Sequence, residues 1–93
     1  MIRVVVPVKI KENMKEKCLE ALSPLIEESR KEEGCLEYNF IETDTENFFY
    51  FVELWKSKEA FQFHTKTPHF LKYFPLIGEF KEYDTPAEIY ETK

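Results

Sequence analysis

The side chains able to move protons gather between Phe48 and His69, in the stretch FFYFVELWKSKEAFQFHTKTPH. His64 follows Ala60 by four residues and Phe61 by three, so a helix here turns its imidazole to their inward side. Histidine titrates near neutral pH, and the last turn of a helix favours the protonated ring. His64 is then either a core histidine bonded to a carbonyl or the proton donor and acceptor of a pocket. Glu53 shares a strand face with Phe49, Phe51 and Trp55, where lost hydration favours the carboxylic acid and suits a general acid or base. The alternative for Glu53 is an ion pair with Arg3 or Lys9. Trp55 carries an indole N–H that needs a partner, which a cavity edge supplies. Tyr38 lies on a face with Leu36 and Phe40 and either lends its hydroxyl to a ligand or is structurally buried. His69 falls in the first turn of a helix, which favours the neutral imidazole and a capping or surface role. The candidate catalytic pair is therefore His64 and Glu53, with Trp55, Tyr38, Phe51 and His69 as candidate contacts to a small molecule in such a pocket.

Other chemistries find less support. His64 and His69 are five apart across an expected helix break, and no acidic or thiol ligand completes a set, so no metal site is expected. Two glycines, Gly34 and Gly78, cannot build a phosphate-cradling loop. Cys18 and Cys35 lack metal or redox spacing and read as reduced thiols, with the cytoplasm as the expected compartment. Cys35 also stands beside a helix C-terminus, the wrong end to stabilise a thiolate. The net charge is −5 with cations scattered among acids, so no basic stripe offers itself to nucleic acid. Apolar runs fall far short of the ~20 residues of a membrane span. The start, MIRVVVPVKIKEN, alternates and ends in charges, unlike a signal peptide.

The elements that must hold these groups follow from periodicity. Residues 2–10 alternate as a strand, with Pro7 as an edge or bulge residue. Residues 11–33 place Met14, Cys18, Ala21, Leu22, Leu25 and Ile26 on one helical stripe. Pro24 is expected to kink this helix, or to break it with Ser23 as a new cap, and Gly34 to close it in the left-handed region. Strands are expected over 35–42 and 48–55, joined by the polar loop 43–47. Ser57 caps a helix over 58–65, and Thr67-Pro68 starts another running to about Gly78. Residues 79–85 carry no assignment, and 86–91 form a final strand in which Ala87, Ile89 and Tyr90 pack. The order βαββαβ is the ferredoxin-like α+β arrangement, an antiparallel sheet with helices on one face, in one domain spanning 1–93.

The strand 48–55 is apolar on both faces, whereas helices can cover only one. Aromatic residues make up 16% of the chain, more than one small core usually hides. A chain of this length buries only roughly 60–65% of its unfolded surface. A second copy of the sheet is the simplest cover, so a homodimer is expected.

The segments EEGCLEYNF (Glu32–Phe40), Glu53-x-Trp55 and KSKEAFQFHTKTPHF (Lys56–Phe70) resemble the antibiotic biosynthesis monooxygenase superfamily. The resemblance implies a dimeric α/β barrel of two ferredoxin-like protomers, each with a pocket between sheet and helices. It also implies cofactor-free oxygenation of phenols, quinols or anthrones, with His64 carried over as the proton-handling residue and Trp55, Glu53 and Tyr38 as pocket or scaffold positions. Other branches isomerise or degrade phosphorylated signalling sugars, which would need a cation such as Lys72, Lys66 or Arg3 at the cavity. A non-catalytic dimeric ligand-binding module is the remaining alternative. A haem-degrading branch uses a first-strand Asn, a Trp on the second helix and a His ten residues later. This chain has no such Asn, and its corresponding positions are His64 and Phe74, so the resemblance disfavours haem chemistry.

Overall fold

The computed structural model describes residues 1–93. Its strands are β1 (Ile2–Lys9), β2 (Cys35–Glu42), β3 (Phe48–Trp55) and β4 (Glu88–Glu91). Its helices are α1 (Lys15–Arg30), α2 (Lys58–His64), α3 (Pro68–Tyr73) and, after a 3-10 turn over Phe74–Leu76, α4 (Ile77–Phe80). The sheet runs β2-β3-β1-β4 with every pair antiparallel, the ferredoxin-like order. No helix is long and apolar enough to cross a membrane.

Alternation explains the sheet. Ile2, Val4 and Val8 of β1 and Phe49, Phe51, Glu53 and Trp55 of β3 turn inward and are buried. Register puts Val4 opposite Glu53 and Tyr38 opposite Glu53, so one carboxylate sits in the middle of the covered face. A bulge between Cys35 and Glu37 leaves Leu36 out of the ladder and exposed. The other face of β3, with Phe48, Tyr50, Val52 and Leu54, is only half-buried in one protomer. The helices cover a single side, as expected, so any further cover of this second face must come from outside the protomer.

Several boundaries shift for physical reasons. The first helix starts at Lys15 rather than 11, because Lys11–Met14 form a turn with Asn13 at φ 66°. Pro24 does not break the element or start a new one with Ser23 as its cap; it lies inside a continuous α1. Cys18 and Leu22 before it and Leu25 and Ser29 after it are all buried on the same side, so packing keeps the helix continuous across the proline. The helix closes at Lys31, and Gly34 is not left-handed. Gly34 is required for space instead: a Cβ there would stand 2.3 Å from the Ala60 Cβ on α2. Pro75, which has no N–H, ends α3 early and splits the expected long helix into α3, the 3-10 turn and α4. The unassigned segment contains the end of α4, whose Phe80 is buried. β4 begins at Glu88, and its pairing with β1 reaches only Val5, so Pro7 stands beyond that ladder as an edge proline. The expected packing of Ile89 and Tyr90 is corrected: they are 55% and 51% exposed.

Candidate active site

The connection from α1 to β2 shapes one wall. Arg30 ties the end of α1 to β2, its Nε donating to the Tyr38 carbonyl at 2.8 Å and its Nη2 to Asn39 Oδ1 at 3.0 Å. The Lys56 N–H donates to the Gly34 carbonyl at 2.9 Å, sewing the connection to the end of β3. Glu32 is thereby turned inward, and its side chain is only 8% exposed.

The opposite wall comes from a helix break. Ser57 caps α2 by accepting from the Ala60 N–H at 3.1 Å. At the end of α2 the Thr67 hydroxyl donates to the His64 carbonyl at 2.8 Å and accepts from the Phe70 N–H at 3.2 Å. One buried threonine thus closes α2 and opens α3, with Pro68 at the first position where its missing donor costs nothing. Five residues along an unbroken helix would be turned about 140° apart. The break instead lets His64 and His69 converge on one oxygen: Glu32 Oε2 lies 2.6 Å from His64 Nδ1 and 2.8 Å from His69 Nε2.

His64 is wholly buried, and its Nε2 has no hydrogen-bond partner. Its ring lies 4.4 Å from that of Trp55, 5.0 Å from Phe70 and 5.4 Å from Tyr38, centroid to centroid. Burial pushes the imidazole below its ordinary range, and the bond to Glu32 opposes that push. Tyr38 is buried against Phe51 and Trp55, and its hydroxyl is also unpartnered. Burial lifts that phenol far above its ordinary range, so it stays protonated.

Glu53 does not pair with Arg3 or Lys9. Arg3 binds Glu37 at 2.9 Å, and Lys9 donates to the Glu46 carbonyl at 2.8 Å. Glu53 instead accepts the Trp55 indole N–H at 2.9 Å, which also answers where that donor goes. Burial pushes its carboxyl up to about 7, with the indole bond holding it down and the charge of Glu32 adding to the rise. A group poised there can give or take a proton at neutral pH.

The structure therefore joins His64, Tyr38, Trp55 and Phe51 in one ring-lined core and hangs Glu53 from Trp55. His69 is no surface cap, since it reaches the same cluster through Glu32. Glu32 is the residue that sequence reasoning missed, and its presence corrects the statement that no acidic group completes a set with the two histidines. Their ligand atoms all lie within 4.8 Å of one another. The 2.6 and 2.8 Å contacts are nevertheless hydrogen-bond distances, whereas donors around a tetrahedral zinc stand about 3.4 Å apart. As built, the trio fits hydrogen bonding better than ligation.

A cavity of about 240 Å³ opens between the sheet and α4, lined by Val6, Val8, Phe51, Phe74 and Ile77 among others. His64 does not line it. Phe74, on its wall, stacks on Phe70 at 4.7 Å, and Phe70 meets His64 edge-on. Two phenyl rings thus separate the open volume from the imidazole. Of the cations expected at a cavity, Arg3 is on the other face, and Lys72 sits 5.2 Å over the Tyr73 ring. Lys81 does line the cavity but is paired with Asp84 at 2.6 Å.

Similarity to known proteins agrees with this architecture. The profile described as antibiotic biosynthesis monooxygenase matches residues 1–76. A Synechocystis protein, "Uncharacterized protein sll1783", is 41% identical over 64 residues, 68% of this chain and 44% of its own length. This chain thus spans less than half of that relative. The Bacillus subtilis protein named "Putative monooxygenase YcnE" is 38% identical over 64 residues, 68% of this chain and 67% of its own. The crystal structure of a conserved protein from Methanosarcina mazei superposes with a TM-score of 0.93 at 32% identity, covering 99% of this chain and 92% of that one. A matching profile over most of the chain, on a fold that positions a buried imidazole among rings, places it: the chain belongs to the antibiotic biosynthesis monooxygenase family.

Proposed function

We propose that the protein is a cofactor-independent monooxygenase of small aromatic substrates of the quinol or anthrone type, working as a homodimer in the cytoplasm. The observation that carries this reading is the wholly buried His64, whose Nε2 has no partner and is surrounded by aromatic rings. The substrate lodges in the cavity beside Phe51 and Phe74 and reaches His64 when the stacked Phe70–Phe74 pair swings aside. His64 Nε2 takes a proton from the acidic C–H or O–H of the substrate. The resulting anion passes one electron to dioxygen, and the two radicals combine as a peroxide. The imidazolium returns its proton to the distal oxygen. Loss of the second C–H proton then breaks the O–O bond, so that an anthrone CH₂ and O₂ become C=O and water. The substrate supplies all the electrons, and the protein supplies desolvation, orientation and proton transfer. Glu53 is the second proton-handling group; Phe51 lines the substrate's place, and Trp55, Tyr38 and His69 support His64 behind it.

The test is oxygen uptake by purified protein across a panel of hydroquinones and anthrones. The wild type consumes one O₂ per anthrone, and a folded His64→Ala variant is at least about a hundredfold slower. Protein that leaves oxygen untouched, with His64→Ala indistinguishable from it, removes the reading. Tight aromatic binding without product would identify a ligand-binding module instead. The phosphorylated keto-sugar alternative has one observation in its favour, Lys81 at the cavity. It requires inorganic phosphate to compete for that site.

A further inference from the structure

We propose, resting on the reading of His64 as the proton acceptor, that Glu32 and His69 form a positioning clamp that fixes the tautomer of His64 and makes Nε2 its only basic nitrogen. The two imidazole nitrogens share a single acceptor, Glu32 Oε2, at 2.6 and 2.8 Å. Glu32 Oε1 is buried without a partner, so Oε2 makes all of this side chain's hydrogen bonds, and a carboxylate oxygen facing two ring nitrogens is matched by an N–H donated from each. His64 therefore carries its proton on Nδ1, the opposite of the form that a free histidine side chain favours. The neutral ring is left with a bare lone pair on Nε2, buried where no protein group competes for it.

Each member has a distinct task. Glu32 lies past the end of α1 on a connecting segment, so its carboxylate needs a second anchor, and the His69 N–H provides it. His69 is 16% exposed while His64 is wholly buried, so the clamp closes the imidazole off from the solvent side. Thr67 completes it by fixing the turn between the two helices. A carboxylate that orients an imidazole is the arrangement by which hydrolytic triads hold their base in the working tautomer. Glu32 and His69 act through His64 rather than on the substrate.

The direct test is long-range ¹H–¹⁵N correlation of the histidine rings in wild-type protein near pH 7.5 with chelator present. His64 is expected to show a protonated Nδ1 and an unprotonated Nε2 as a single form. Glu32→Gln and His69→Leu are expected to turn it into a mixture, and Glu32→Gln to lower kcat for oxygen uptake about tenfold to a hundredfold with KM changed less than about threefold. A His64 protonated at Nε2, or averaging between forms in the wild type, overturns the clamp. So does one equivalent of Zn²⁺ that displaces the Nδ1 proton, because the trio is then a metal site. The wild-type spectrum decides even if a variant fails to fold. Since it needs no turnover, an inert protein with Nδ1-protonated His64 would remove the oxygenase reading alone.

Discussion

At Glu53 the loss of water decides the protonation state, and stability must follow it. The unfolded side chain ionises near 4.5, whereas burial lifts the folded one to about 7. Between those values the folded state holds the extra proton, so this contribution is fully present below pH 4.5 and is lost as pH rises through 7. The difference amounts to about 3 kcal/mol at most. Glu53→Gln keeps an oxygen for the Trp55 indole but cannot ionise. Urea unfolding at pH 5, 7 and 8 is expected to show the variant gaining on the wild type as pH rises; parallel curves would place the Glu53 carboxyl in contact with water. His64 and Glu53 were legible because strand alternation and helical spacing dictate which side chains turn inward. Glu32 was not, because it lies just beyond the end of α1, where periodicity no longer says which way a side chain points. His69 needed Glu32 to be found before its own role could be seen.

Among the elements, the α1–β2 connection and α2 approach too closely for a side chain at Gly34. Gly34→Ala would force a methyl into the Ala60 Cβ at 2.3 Å, and backbone must move to relieve it. A cost of about 1–3 kcal/mol is expected. Ala60→Gly costs about 1 kcal/mol alone through helix propensity, yet in the double variant it makes room for the new methyl. Urea midpoints should therefore show the pair less damaging than the sum; simple additivity would mean that the two positions do not touch. The element order, the β2 and β3 limits and the Ser57 and Thr67 caps were all readable from alternation and cap chemistry. Gly34 was misread because a glycine after a helix signals a left-handed cap, while a close helix approach leaves no mark in sequence. The break offered as an alternative at Pro24 does not occur, because its local preference yields to the buried stripe on either side of it. Ile89 and Tyr90 were expected to pack, but β4 pairs only four residues at the sheet edge, beyond the cover of the helices.

For the whole molecule, the sheet face carrying Tyr50, Val52 and Leu54 is the feature that one protomer leaves half-covered. The homodimer reading places a second sheet there. Sedimentation at micromolar concentration should give twice the protomer mass, and Val52→Glu, which sets a carboxylate in the middle of that face, should halve it. A wild-type mass of one protomer would end the reading. The two free thiols bear on the same chemistry from another direction. Cys18 is buried and Cys35 half-buried, and desolvation pushes both up to about 11. At pH 7 roughly one thiol in ten thousand is then ionised. Quinones released by oxidation of hydroquinones are electrophiles that alkylate thiolates, so a protein that made them would carry its cysteines in a form its own products cannot readily attack.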